Sequence, residues 1–425
     1  MNALLKKTRY LLKDGFFHIL GSTFINKIIA FLTNIALVRI LSKSDYGVFT
    51  GSFNAFYIVF LFSGLGITSG ILFFCSKDIA KEDKGEYYRF SFKFGILSEL
   101  FLSAALILYG VFGKVGIEET RPYIISLAGL PFIAFIYDYL SIVLRAEKDN
   151  VKYARLMNLN SALYLVFGAL GAMLGGIAGT IAGRYLAYII AGIIGGIYCK
   201  DYIKLGPGRY LPKEKRLDIV KYSLKAGITS ALNVLLYRLD VAVIAIVVAN
   251  SAILASYKTG AALPENVNFI PQCVMIYYLP IFIQNLKDRE WIKRKTREIY
   301  LFVGGISLLI GLIMIIFAPF IVKLLWGEKY LDAVPCMRVL AVSFMVLSTF
   351  RTTSTNILLA LKRAGYTMFV SLIAGLSNIV LDVFMTMRYG SIGAAYATLI
   401  VTILASLLSF PYVIYIIYSG KKSYE

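Results

Sequence analysis

Long apolar blocks separated by short polar ones fill this chain from end to end. A helix needs about 20 residues to cross roughly 30 Å of hydrocarbon, and it is the one open segment that satisfies its own backbone there. Twelve blocks meet that need, near 16–40, 48–75, 94–112, 123–144, 156–174 and 177–199, then near 226–248, 254–283, 299–323, 334–361, 366–387 and 392–418. The longest polar interruption, 200–225, stands between the two sets of six. It holds eight basic residues, and Gly206, Pro207, Gly208 and Pro212 exclude a continuous helix through its first part. The pattern predicts an all-α integral membrane protein of 12 transmembrane helices in two six-helix bundles, 1–199 and 226–425, joined by a cytoplasmic basic linker, 200–225.

The two halves carry the same features in the same order. The basic turn LRAEKDNVKYA after Val143 matches LALKRAGYT after Leu358, and GGIAGTIAG from Gly175 matches GSIGAAYAT from Gly390. Six helices per half, entered from one side, imply parallel repeats related by a pseudo-two-fold axis along the membrane normal. Glycines at 171, 175, 179 and 183 are spaced for close helix packing.

Composition agrees, since 59% hydrophobic residues against 16% charged ones cannot cover a soluble surface. The net charge of +20 sits mainly in the termini and alternate loops, which places both termini and the linker in the cytoplasm without any nucleic-acid partner. The basic N-terminus lacks a cleavage site and reads as an amphipathic lead-in. The four cysteines stand too far apart for a metal knuckle or disulfide framework and read as buried small residues. No phosphate loop, HExxH or Asp-x-Asp pattern occurs, so no metal, cofactor or catalytic residue is assigned.

Polar groups within the blocks are therefore the candidate chemistry, because each mid-membrane charge costs about 2.5–3.5 kcal/mol on insertion scales. On the first helix Thr23, Lys27 and Asn34 share a face, with Ser22 and Asn26 beside them. The seventh carries Ser230, Asn233, Tyr237, Arg238 and Asp240. On the eighth, Lys258, Glu265, Asn268 and Gln272 line one side, while Pro264, Pro271 and Pro280 predict a bend. The second adds a softer stripe with Gly64, Gly66 and Gly70. These four helices occupy equivalent places in the halves, so a cavity between the halves would collect them.

Lys27, Arg238, Asn34, Asn233, Tyr237, Lys258, Asn268 and Gln272 are accordingly the expected substrate contacts, and Asp240 and Glu265 the expected proton or sodium site. The plainer readings are a Lys27 that snorkels or pairs with a carboxylate, and an Arg238 paired with Asp240. Arg184, Arg351, Asp138, Glu99 and Asp382 are read as structural, His18 as an interfacial histidine and Trp326 as an interface anchor.

Three segments resemble one known family: LVRILSKSDYGVFTGSFNAFYIVFLFSGLGITSGI from Leu37, LLWGEKYLDAVPCMRVLAVSFMVLSTFRTTSTNILLALKRAGYT from Leu324, and YGSIGAAYATLI from Tyr389. They are similar to the polysaccharide exporters and O-antigen translocases of the multidrug/oligosaccharidyl-lipid/polysaccharide (MOP) exporter superfamily. The resemblance implies a flippase of the bacterial cytoplasmic (inner) membrane that moves undecaprenyl-pyrophosphate-linked oligosaccharide across it by alternating access, with membrane lipids around it and no chemical change in the substrate. It also implies an anionic headgroup, which Lys27 and Arg238 would suit. A cation-coupled multidrug exporter of the same superfamily stays open as an alternative, as does a membrane glycosyltransferase or ligase using the same lipid carrier.

Overall fold

In the computed structural model, residues 16–77, 80–203, 211–235, 238–285 and 288–419 are described. The N-terminal lead-in, the Gly-Pro part of the linker at 204–210, Tyr237 and the side chains of His18 and Asn233 lie outside these. Two compact units emerge, Met1–Arg238 and Leu239–Glu425.

The first unit contains α1 (Phe16–Ile40), α2 (Lys43–Phe60), α3 (Ile67–Cys75), α4 (Lys81–Phe112), α5 (Arg121–Ser126), α6 (Leu130–Ala146), α7 (Asn150–Cys199) and α8 (Lys213–Leu235). The second contains α9 (Leu239–Val247), α10 (Ser251–Val267), α11 (Phe269–Gln284), α12 (Arg289–Ile316), α13 (Ala318–Trp326), α14 (Val334–Val346), α15 (Thr353–Ala360), α16 (Ala364–Tyr389) and α17 (Ser391–Tyr418). No strand occurs among the described residues, and nine of their helical segments are long and apolar enough to cross a membrane. The chain is a multi-pass membrane protein. Every expected apolar block falls on helix in the described residues. The fifth and sixth share α7, the described parts of the seventh are α8 and α9, and the eighth is divided at Asn268.

The α7 division is a hairpin. Gly175 leaves helical geometry and Gly176 takes φ 56°, ψ −131°. A Cβ on Gly171 would collide with the carbonyl of Gly179, and one on Gly183 with that of Phe167, so the two arms run antiparallel with their backbones in contact. The second unit repeats the device: Gly390 takes φ 63°, ψ −145° between α16 and α17, and a Cβ on Gly393 would collide with the carbonyl of Met385. Gly176 thus corresponds to Gly390, one residue away from the alignment that sequence comparison suggests. The basic turns obey the same register. Lys148 and Lys362 both have φ 59°, and Asp149 and Arg363 return their N–H groups to Leu144 and Leu358 in the same way.

Polar groups hold these turns from outside the spans. Glu147 accepts from Tyr88 at 2.6 Å and pairs with Lys84 at 3.2 Å. Asp149 caps α7 and pairs with Lys152 at 2.9 Å. Partial burial works against the Asp149 carboxylate, but hydrogen bonds from Lys152 and Tyr202 outweigh it and hold its pKa below the usual carboxylate range.

The glycines of the second block also have a packing role. Between α2 and α3 the chain turns through Gly64, Leu65 and Gly66, all at positive φ. A Cβ on Gly66 would meet Gly227 Cα of α8 at 2.7 Å, so α8 crosses the first unit there, backbone against backbone. Glu99 of α4 closes this break: its Oε1 accepts from the Gly64 N–H at 2.7 Å and from Ser63 Oγ at 2.8 Å.

Trp326 is not an interface anchor. Amphipathic α13 turns it inward with Val322, and it is 1% exposed. Cys75, Cys199 and Cys336 are buried as expected, whereas Cys273 is exposed.

Because the α7 arms touch through glycine, Gly179→Val should destabilise the first unit by ~1–3 kcal/mol through overpacking. Gly196→Ala, where a Cβ meets nothing, should be neutral or slightly stabilising. Melting temperatures of the two purified variants in detergent check this.

Candidate functional site

The expected polar helices separate into two environments. In the first unit Ser22 and Asn26 use one face of α1 to hold α7: Ser22 Oγ donates to the Ala154 carbonyl at 3.2 Å, and Asn26 Nδ2 donates to Ser161 Oγ at 2.5 Å. Lys27 stands off that face, exposed, with no carboxylate at ion-pair distance among the described residues. Asn34 donates to the Tyr46 hydroxyl at 2.7 Å.

Arg238 lies half-buried at the end of the first unit. Its guanidinium sits 4.4 Å from the centre of the Tyr57 ring, and its carbonyl accepts from Asn54 at 3.4 Å. It makes no ion pair with Asp240. The two stand only two residues apart, a spacing at which side chains at a helix start do not face each other.

In the second unit Lys258 and Glu265 pair with each other at 2.7 Å across two turns of α10. The break that the prolines predict falls at Asn268, whose side chain accepts from Ser348 Oγ at 3.3 Å. Ser348 itself lies in a single π-helical turn, Leu347–Thr352, the kind of irregularity that helices often keep at functional places. Arg351 lies in the same turn, half-buried, and Gln272 is exposed.

The strongest convergence surrounds Asp240. Its Oδ2 accepts from the Tyr257 hydroxyl at 2.8 Å and from Thr398 Oγ1 at 2.9 Å, and its Oδ1 accepts from Asn378 Nδ2 at 3.1 Å. The same Asn378 nitrogen donates to Asp382 at 2.6 Å. Asp382 is fully buried, and its second oxygen has no hydrogen-bond partner among the described residues. Four helices, α9, α10, α16 and α17, thus bring two interacting carboxylates, one amide and two hydroxyls together inside the membrane. Two like charges held together inside the membrane, one of them fully buried, need a proton or a cation to share. The carboxylate oxygens are donors of the kind a hard cation takes, while Asn378 turns its Nδ2 and not its oxygen toward them.

The carboxylate that shares a donor with Asp240 is Asp382 and not Glu265, which Lys258 already neutralises. Asp382 is read from sequence as structural, and Asn378, Thr398 and Tyr257 are not singled out there. The i, i+4 spacing of Asn378 and Asp382 on an apolar helix was the available signal.

The fold is shared with solved transporters. An inward-facing multidrug resistance MATE family transporter of the MOP superfamily matches at 14% identity and TM-score 0.72, over 93% of this chain and 95% of its own. Lipid II flippase MurJ in an inward closed conformation matches at 14% and 0.71, over 93% and 87%. A MOP superfamily transporter from Pyrococcus furiosus, described as having a binding pocket of reverse polarity, matches at 15% and 0.61, over 95% and 94%. No curated protein sequence matches the chain.

These likenesses define the class as a MOP-type transporter fold. Within it the chain belongs to the polysaccharide biosynthesis protein family, whose model matches residues 36–335.

Deleting the acceptor at the centre of the cluster leaves three donors without it. Asp240→Ala should cost ~1–3 kcal/mol for each donor that water cannot reach. Asp240→Asn should cost less, because its remaining carbonyl still accepts. Thermal unfolding of the two variants in the same detergent gives the comparison.

Proposed function

We propose that this protein is a flippase that carries undecaprenyl-pyrophosphate-linked oligosaccharide, an O-antigen or capsular repeat unit, across the bacterial inner membrane with both termini cytoplasmic. The observation that carries the reading is a polysaccharide-biosynthesis sequence on a transporter fold. The structural likeness to a lipid II flippase, a protein named for a lipid-linked cargo, supports it.

Its residues supply the chemistry. Lys27 is exposed and free of any carboxylate partner among the described residues, and Arg238 rests on Tyr57 with its charge uncompensated by Asp240. Such groups suit a pyrophosphate, which accepts charge-assisted hydrogen bonds from both and fits the guanidinium fork best. Arg351 in the π turn is a third basic group of this kind. Asn34, Lys258, Asn268 and Gln272, with Asn233 and Tyr237, are proposed to contact the sugar part. The polyprenyl chain stays in lipid, alternating access moves the headgroup, and no bond is made or broken.

Asp240 and Asp382 are the proposed coupling site. A sodium ion or a proton would neutralise the pair and tie α9 to α16 and α17. Its loss would leave two carboxylates repelling each other, a differential that favours another arrangement of these helices. Glu265, the other carboxylate considered for this role, is held by Lys258 on its own helix and is left out of the proposed site.

A drug exporter that takes cationic compounds is the second reading, favoured by the likeness to a multidrug resistance transporter. Cationic substrates call for acidic walls, whereas Lys27, Arg238 and Arg351 are basic.

In a strain lacking the native gene, the wild-type chain should restore surface polysaccharide, and Lys27→Ala with Arg238→Ala should reduce it at least tenfold at equal protein level. Full export by the double variant, or resistance to cationic dyes without export, overturns the flippase reading. Asp240→Asn and Asp382→Asn should each abolish the response of transport to a sodium or pH gradient. A retained response removes the pair from the coupling role.

A further inference from the structure

The common register of the two units allows their buried polar sites to be compared place by place. Thr398 stands eight residues after the Gly390 turn, and Arg184 stands eight after Gly176. Asn378 and Asp382 precede Gly390 by twelve and eight residues, as Tyr164 and Gly168 precede Gly176. The duplicate of the Asp382 place therefore carries no side chain at all. A Cβ on Gly168 would lie 3.0 Å from the ring of Tyr164, which covers that place instead.

The contacts show that these residues converge in the first unit as their counterparts do in the second. The Arg184 guanidinium lies 4.5 Å from the centre of the Tyr164 ring and 3.9 Å from that of Tyr188, and it donates to the Tyr188 hydroxyl. Asp138 is the carboxylate in its field, with no direct ion pair between them. One unit thus gathers carboxylates at this place, and the other gathers a guanidinium wrapped in aromatic rings.

We infer that the Arg184 guanidinium fills, in the first unit, the place that the second unit keeps for an exchangeable cation, so that the protein has one switchable cation site and one permanently occupied by its own side chain. The inference rests on the coupling reading of Asp240 and Asp382. Its physical basis is that arginine stays charged at every accessible pH and cannot leave, while two tyrosine faces stabilise the desolvated cation. The consequence is an asymmetric cycle: loss and gain of a cation rearrange helices in the second unit, and the same place in the first holds still.

The test uses the purified full chain in detergent. Arg184→Ala should lower the melting temperature by several degrees. Methylguanidinium chloride should restore a large part of that loss, while sodium or choline chloride at equal ionic strength should not, and the wild type should not respond to methylguanidinium. Arg184→Lys should melt above Arg184→Met, because a tethered charge is kept in the first and lost in the second. A role in packing alone gives Met a stability equal to or above Lys, and that order overturns the inference, as does an Arg184→Ala protein indifferent to methylguanidinium. Binding of radioactive sodium should be monovalent per wild-type chain and absent in Asp382→Asn. A cation that survives Asp382→Asn also overturns it. Should the wild type bind no sodium at any pH, sodium coupling fails, and the methylguanidinium and Lys-against-Met comparisons decide the Arg184 assignment by themselves.

Discussion

Hydrocarbon offers no hydrogen bonds, and that single constraint organises everything in this protein. Backbone groups must be satisfied within each segment, which leaves helices as the only open spanning form. Where a helix breaks, another group must take over. Glu99 does so for the Gly64 N–H at the α2–α3 break, and at the α10–α11 break the side chains of Ser348 and Asn268 bond to each other. The breaks are thus places where polar side chains are compelled to be, and polar side chains in a membrane are the raw material of transport.

The same constraint acts on charge. Basic residues outside the spans cost little and set orientation. Inside, each charge shows a different solution: Lys258 pairs with Glu265, Arg184 lies between tyrosine rings, Arg238 rests on Tyr57, and Asp240 gathers three donors. Asp382 keeps one oxygen unsatisfied in full burial. An unsatisfied buried carboxylate beside another is the least stable of these arrangements without a counter-charge, and therefore the one most responsive to a proton or cation.

Duplication explains how such different solutions arose on one plan. The turns at Gly176 and Gly390, and at Lys148 and Lys362, are the same to within a few degrees of φ. Backbone geometry at those points tolerates little change, since the arms of each hairpin touch through glycine. Side chains one or two turns away are free to differ, and Thr398 against Arg184 is such a difference. Conserved turns and divergent polar positions together give two similar frames with dissimilar chemistry.

The sequence by itself determined the helical class, the position of nearly every helix, the internal repeat and the candidate basic residues. Those features follow from local composition: the length of an apolar block, the chemistry of glycine and proline, and the cost of charge in lipid. It also singled out Asp240 as a candidate. Tertiary structure alone decided that Asp240 meets Asp382, that Glu265 is already paired, that Trp326 faces inward and that Gly176 is the true counterpart of Gly390. Helical periodicity assigns a residue to a face of its own helix, but which faces confront each other depends on how helices distant in the chain pack, and that information lies in no single window of sequence.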